Sequence, residues 1–578
     1  MLQIAIILEF KYSNLLKEIK MKNLTITIAI LLFCLPVLIN SQSIINTKHN
    51  LSITSPGTVK ATSESEICIF CHTPHNSSPR APLWNKNATG TTYILYNSST
   101  LDAVPGQPDG SSILCLSCHD GTIALGDVVS RPTSIAMTNT MTASGNLTTD
   151  LSNDHPVSFT YDATLATTDG ELKIPPLLNV ELDKNSKMQC TSCHDPHKDT
   201  NSKFLLASNE YSALCFSCHD KTFWSSSTHN TSTKTWNGTG TDPWSHLESA
   251  YATVSQNACA NCHDSHNANG KPRLLKSLLE ENNCLDCHNG NVANKNIQTE
   301  LAKVYRHNVY GYTGVHDPIE AISATTKHVE CQDCHNPHAS NTTTASAPFV
   351  NGFSKGVTGL NQAGNAVSEA TYAYEICYKC HAGNSWAPAP VFSRIINQNN
   401  VRLEFEPSNP SFHPVVSPRN NSEITNNLIT PNTASTVLYC TDCHASNNTT
   451  SVGPHGSIYP QILKMQYITA DNTSESATNY ELCYSCHNRN NIINDNNTFS
   501  EHKKHIVGEK TPCSICHDPH GISSTQGNTI NNSNLINFRT GIVTPSSSGV
   551  LRYEDTGVGS GRCFLTCHGK NHNPKSYN

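Results

Sequence analysis

Apolar residues are scarce in this chain: six methionines in 578 residues, 7% aromatic side chains and 37% hydrophobic overall. Charged residues are few as well, at 14% with a formal balance of −7, and Asn, Ser and Thr make up the difference. A chain this poor in Leu, Phe and Met builds no large apolar core of its own. Either much of it is disordered, or something other than side chains fills its interior. After residue 43 no stretch approaches the eighteen or so apolar residues of a membrane span. No P-loop, Rossmann glycine motif or hydrolase triad is present, and "GVGSG" at 557 to 561 reads as a loop lacking a strand before it and a helix after it. The acidic balance sets nucleic acid aside as a partner.

Cysteine is the exception, with 25 residues. One of them, Cys34, lies in "MKNLTITIAILLFCLPVLINSQS", which starts at Met21 and reads as a signal peptide. Lys22 gives the basic start, Ile26 to Ile39 the apolar run, and Ser41 and Ser43 the small residues for cleavage. Phe33 is too large for a lipoprotein signal, so Cys34 is expected to leave with residues 1 to 43. The mature protein is expected in the periplasm or at the cell exterior, with no membrane span.

Every other cysteine belongs to one repeated motif. Eleven C-x-x-C-H units hold Cys68, Cys71 and His72; Cys115, Cys118 and His119; Cys190, Cys193 and His194; Cys215, Cys218 and His219; Cys259, Cys262 and His263; Cys284, Cys287 and His288; Cys331, Cys334 and His335; Cys377, Cys380 and His381; Cys440, Cys443 and His444; Cys483, Cys486 and His487; and Cys513, Cys516 and His517. A twelfth, "CFLTCH", holds Cys563, Cys567 and His568 with one extra residue between its cysteines. Zinc ribbons do not require a histidine directly after the second cysteine. Redox C-x-x-C motifs come one to a domain near a βαβ pattern, and a disulfide framework would vary its spacing. C-x-x-C-H is the attachment signature of c-type haem, whose porphyrin bonds both thiols while the adjacent imidazole becomes the proximal iron ligand. Twelve covalently attached haem c groups are the expected cofactors.

A second histidine follows in five motifs, as C-H-x-x-H at His72/His75, His194/His197, His263/His266, His335/His338 and His517/His520, and in four of these proline precedes it. Proline disfavours helix in the residue before it, so the attachment turn should end there and release the second imidazole on a short tether. That imidazole cannot reach the far face of its own iron, and is expected to ligate a neighbouring one. The stretches from Cys190 and from Cys259 both run 25 residues from first cysteine to first cysteine, and the twelve motifs sort into six doublets. Their expected spans are 44–145, 146–235, 236–300, 301–390, 391–490 and 491–578, with linkers at 133–153 and 486–500. The fifth doublet lacks a histidine at the usual place, and His455 in "GPHG" is expected to replace it.

Of 29 histidines, 12 are proximal, which leaves 17 for the distal faces. Six lie within or after a first motif: His75, His197, His266, His338, His455 and His520. Six more lie upstream of one: His49, His155, His246, His316 (or His328), His413 and His505 (or His502). His229, His307 and His572 are then spare. Only Met137, Met141, Met188 and Met465 follow the signal peptide, so bis-histidine ligation is the economical reading. With porphyrins as the apolar interior, the expected fold is mostly irregular loops with short helices around a chain of stacked haems, and few strands.

The stretches "ICIFCHTPH" with "APLWN", "LCLSCHDGTIALGDV", "DHPVSF", "CTSCHDPH" and "HVECQDCHNPH" make the chain resemble the doubled-C-x-x-C-H family of multihaem c-type cytochromes. The resemblance covers nearly everything after the signal peptide. It implies electron transfer through closely stacked haems in periplasmic or extracellular respiration, where some relatives polymerise into conducting filaments. The missing histidine after His444 and the longer spacing at Cys563 are its two departures.

Removing residues 1 to 43 leaves 34 basic against 43 acidic side chains. Twelve ferric haems would take the total to about −21 and full reduction to about −33, so redox proteins with basic patches or cationic extracellular acceptors are the expected partners. The leading function is electron carriage. The alternatives are a reductase of small nitrogen or sulfur species with one open-site haem, at Cys440 or Cys563, and a filament subunit completed by His49 of a neighbour. No catalytic residue is assigned.

Overall fold

The computed structural model describes residues 44–78, 81–87, 89–314, 316–318, 320–321, 327–384, 388–418 and 427–578. The signal-peptide reading of residues 1 to 43 lies outside them. No helix of the described residues is long and apolar enough to cross a membrane.

Regular structure is short because little apolar surface is available to stabilise it. Gly110–His119, Glu280–His288 and Ala373–His381 are helices of two to three turns, and each ends on the histidine of a motif. Four pairs of two-residue strands are antiparallel: Phe159–Thr160 with Lys187–Met188, Tyr305–Arg306 with Gly456–Ser457, Gly359–Leu360 with Ala366–Val367, and Ser411–Phe412 with Gly521–Ile522. Loops make up most of the rest, which is the architecture expected of a multihaem cytochrome. Arg489–Ile493 form a short helix inside the stretch read as a linker at 486–500.

One larger sheet closes the C-terminus. Arg552–Gly557, Ser560–Cys567 and Lys570–Tyr577 pair antiparallel with Ser560–Cys567 in the centre. The "GVGSG" stretch is therefore a tight hairpin between two strands, with Gly557 and Gly559 at positive φ. The strand before it, with Arg552, Glu554 and Asp555 around a single aromatic residue, Tyr553, carries no apolar alternation for the sequence to show.

Apolar side chains gather in small separate clusters. Ile515, Phe538, Val543, Tyr553 and Leu565 form one, Phe159, Tyr161, Val180 and Met188 another, and Tyr374, Tyr378, Phe405 and Val415 a third. Each such side chain contributes about 1.5–3 kcal/mol, enough to pin a few loops but not to replace a continuous core. Two compact units divide the chain. Met1–Asn85, Leu125–Thr140 and Asp195–Leu205 make the smaller, and the remainder makes the larger. In the smaller unit Asn85 ties the first motif down: its N–H donates to the Cys71 carbonyl (2.9 Å) and its side chain to the Ile69 carbonyl (2.6 Å) and Ser130 Oγ (2.8 Å).

Candidate haem sites

The motif is a single turn of chain. The histidine N–H donates to the carbonyl of the first cysteine at His72 (2.8 Å), His194 (3.0 Å), His219 (2.9 Å), His263 (3.0 Å), His335 (3.0 Å), His444 (2.9 Å), His487 (2.9 Å) and His517 (2.9 Å). Residues three and four apart share a face of such a turn, so both thiols and the imidazole project to one side. The polar residue before the second cysteine fixes where the turn begins. Asp333 Oδ2 accepts from the Glu330 N–H (2.8 Å), Asp442 Oδ2 from Tyr439 (2.8 Å), and Ser192 Oγ from Gln189 (3.1 Å), as in a capping box.

The chain then folds back over its motif. The N–H groups of Leu206, Lys276, Lys464 and Asn537 donate to the carbonyls of Cys193, Cys262, Cys443 and Cys516. The return passes through left-handed residues that are not glycine: Lys203 and Phe204, Arg273 and Leu274, Gln461 and Ile462, Asn534 and Leu535. Such φ values cost about 1–2 kcal/mol per residue, and the strain has a visible use. The carbonyls of Arg273, Gln461 and Asn534 accept from Nδ1 of His263 (2.8 Å), His444 (2.9 Å) and His517 (2.9 Å). Gly145 and Phe353 carbonyls do the same for His119 (2.7 Å) and His335 (2.8 Å). Each ring is thereby oriented with Nε2 left for another partner, the arrangement metal-ligating histidines use.

What faces these rings is a second imidazole. Ring centres lie 6.2 Å apart for His72/His197, 6.3 Å for His194/His266, 6.2 Å for His263/His338, 6.0 Å for His335/His455 and 5.9 Å for His444/His520. In every case the partner belongs to the following doublet. A second series pairs His219 with His155 (6.4 Å), His288 with His229 (6.1 Å) and His487 with His413 (6.3 Å), the partner here coming from upstream. His517 faces His502 (6.4 Å), and the His307 imidazole lies near enough to His381 to help lower its pKa. Stacked rings in contact sit closer, as His49 on Phe204 does at 4.1 Å. Two imidazoles bonding one metal ion from opposite sides, about 2 Å each, have centres roughly 6 Å apart. The donor set fits iron between them.

The residues before His197, His266, His338, His455 and His520 have a second task. Carbonyls of Pro196, Pro337 and Pro454 accept from Nδ1 of His49 (2.9 Å), His229 (2.8 Å) and His307 (2.9 Å), and Pro519 does so for His413. Where Ser265 replaces proline, its carbonyl takes the His155 N–H instead (2.9 Å). The "GPHG" insertion brings Pro454 and His455 into both of these contacts. Carboxylates serve two partner rings: Asp154 Oδ1 lies 3.1 Å from His266 Nδ1 and Glu404 Oε2 2.9 Å from His520 Nδ1.

Burial, reinforced by neighbouring imidazoles, holds seven of these rings neutral. It lowers His338 and His502 to about 3 and His219, His288, His381, His444 and His455 to about 4. Neutral imidazole is the metal-binding form. None of the 24 motif cysteines is in a disulfide. The first cysteine of a doublet's second motif instead lies against the first cysteine of the next doublet, Cys115 by Cys190, Cys215 by Cys259, Cys284 by Cys331, Cys377 by Cys440 and Cys483 by Cys513.

Several sequence candidates stand elsewhere. His246 places Nε2 against the Ala260 carbonyl (2.9 Å), and His229 takes the position opposite His288. His316 and His328 lie 6.4 Å from each other beside Glu320 and Asp333, and His307 approaches His381. His505 faces His572 (6.4 Å) rather than a motif histidine. His75 is exposed, its carbonyl accepting from Thr73 Oγ1 (2.7 Å). Histidine counting left His229, His307 and His572 as spares and could not rank them, because spacing to the motifs varies and the proline-carbonyl contact carries no side-chain signature.

The model of the doubled CXXCH motif matches residues 184–223 and 432–491, each holding two motifs. This is a doubled-CXXCH protein. No curated protein matches the chain. Its doubled CXXCH motifs imply covalently bound haem c and put the chain among multihaem c-type cytochromes, whose work is electron transfer.

Proposed function

We propose that this doubled-CXXCH protein is an exported dodecahaem electron carrier in periplasmic or extracellular respiration. The observation that carries the reading is the series of imidazole pairs 5.9–6.4 Å apart, each with one member directly after a cysteine pair. The thiols of each motif would anchor a haem, and in the paired motifs the motif histidine would hold its iron and the facing histidine would close the sixth position. Bound haem supplies one-electron redox chemistry; the chain holds successive groups close and denies their irons to substrates. Contacts between the second motif of one doublet and the first motif of the next, as at Cys115 and Cys190, support short steps from one doublet to the next.

A reductase needs an iron with a vacant or weakly held position. His444, in the fifth doublet, faces His520 at 5.9 Å, which favours carriage at that suspect position. His49 is engaged within its own chain by Pro196 and Phe204, which ranks a single or transiently docking carrier ahead of a filament joined through His49. Stopped-flow oxidation of the reduced holoprotein distinguishes the classes. A carrier passes electrons to a small redox protein but shows no catalytic turnover with nitrite, hydroxylamine or sulfite. Saturable turnover with any of these would replace carriage by catalysis.

A further inference from the structure

The twelfth motif does not make the turn that the others make. Cys563 and Cys567 lie in the central strand Ser560–Cys567, and His568 sits beyond its end at φ +48°. His568 is also turned the opposite way round. Its Nε2 lies 3.0 Å from both carboxylate oxygens of Asp471, whereas His263, His335, His444 and His517 engage a backbone carbonyl through Nδ1.

A different imidazole occupies the cysteines' neighbourhood. His572 is the cross-strand partner of Leu565, which lies between the two cysteines. Directly opposed residues of neighbouring strands put their side chains on one face, and alternate residues of a strand share that face. Leu565 and both cysteines pack on the same apolar cluster around Ile515. His572 faces His505 at 6.4 Å with planes 62° apart, within the range of the other pairs. His505 Nδ1 bonds the Glu501 carbonyl (2.7 Å), again leaving Nε2 towards its partner.

We infer that the iron of a haem on Cys563 and Cys567 is ligated by His572 and His505, and that His568 is a structural partner of Asp471. This rests on the haem reading above. The extra residue between the cysteines and the extended chain together carry the motif histidine away from the position the helical turn gives it. The tight turn at His568 and Gly569 then returns a histidine, His572, from the next strand. His572 thus leaves the spare set and His568 leaves the ligand set.

The test uses full-length holoprotein. Peptide mass mapping first establishes whether a haem sits on Cys563 and Cys567; its absence would overturn both the inference and the haem reading at this motif, without touching the other eleven. With the haem present, His572→Ala should keep the haem count, convert one haem in twelve to high spin, and let one bind carbon monoxide when reduced. His572→Met, which keeps a ligating side chain of similar reach, should add a single His/Met absorption band to the oxidised spectrum. Asp471→Asn should leave all haems low-spin. A His572→Ala protein that stays wholly low-spin, or a His572→Met protein without the new band, would overturn the assignment.

Discussion

His335 and His455 face each other with ring centres 6.0 Å apart and planes 16° from parallel, although one follows a cysteine pair of the fourth doublet and the other sits in an insertion of the fifth. His455→Ala should therefore leave the haem count unchanged, since attachment uses only the thiols, and open one iron to carbon monoxide. His338→Ala should do the same through His263, its partner at 6.2 Å. Loss of a haem from either variant, or unchanged low-spin spectra in both, would show that these rings do not share an iron. Haem count by mass and EPR of the ferric protein decide it.

Ring planes put six of the pairs at two extremes, with His194/His266, His444/His520 and His517/His502 between them at 34–54°. His72/His197, His263/His338 and His335/His455 are within 16° of parallel. His219/His155, His288/His229 and His487/His413 lie at 73–82°. The mutual angle of two axial imidazoles sets the splitting of the iron d orbitals. Low-temperature EPR should accordingly resolve two families of low-spin signals, one of moderate and one of large g anisotropy. A single family would mean that the second series is turned in the haem-loaded protein.

Glu404 takes Nδ1 of His520 at 2.9 Å. Burial would lower the His520 pKa, and the carboxylate more than reverses that, so it is raised. A carboxylate on the outer nitrogen makes the ring a stronger electron donor to iron. Glu404→Gln should raise the potential of one haem and make its sixth ligand about tenfold easier to displace by cyanide. Spectropotentiometry that finds no haem shifted would remove Glu404 from the ligand set's support.

Acid should undo the arrangement. Burial holds the His338 imidazole at about 3 and those of His444 and His455 at about 4 in the folded chain, against about 6.5 when unfolded. Between those values the unfolded chain binds protons that the folded chain refuses, so stability falls as pH falls through that window and is complete above it. A pH titration of the low-spin absorption bands should show conversion beginning below about pH 6.5 and progressing towards pH 4. Loss of low-spin character on raising the pH from 7 instead would reverse the sign.

Much of the fold class was legible because the composition cannot build a large core and the motif states its own chemistry. One turn closed by a His N–H on a Cys carbonyl follows from the C-x-x-C-H spacing. The histidines after the first motifs were readable for the same reason: a short tether limits where they go. Upstream partners were not. His229 and His246 both precede the third doublet, and their roles differ through a backbone contact, Pro337 carbonyl to His229 Nδ1 (2.8 Å) against Ala260 carbonyl to His246 Nε2 (2.9 Å). Backbone carbonyls leave no trace in residue identity. Nor do the left-handed turns at Arg273, Gln461 and Leu535, where side chains that rarely adopt positive φ stand in for glycine. The hairpin around Gly557–Gly559 was lost because its strands are polar.

The most direct measurement is the intact mass of the purified protein, taken together with its ferric EPR. After expression with a cytochrome c maturation system, the expected mass exceeds that of the mature polypeptide by twelve haems, and the expected signals are low-spin throughout. A mass equal to the bare polypeptide or to its zinc adducts, or a dominant high-spin signal, would contradict a chain built around paired imidazoles holding covalent haem.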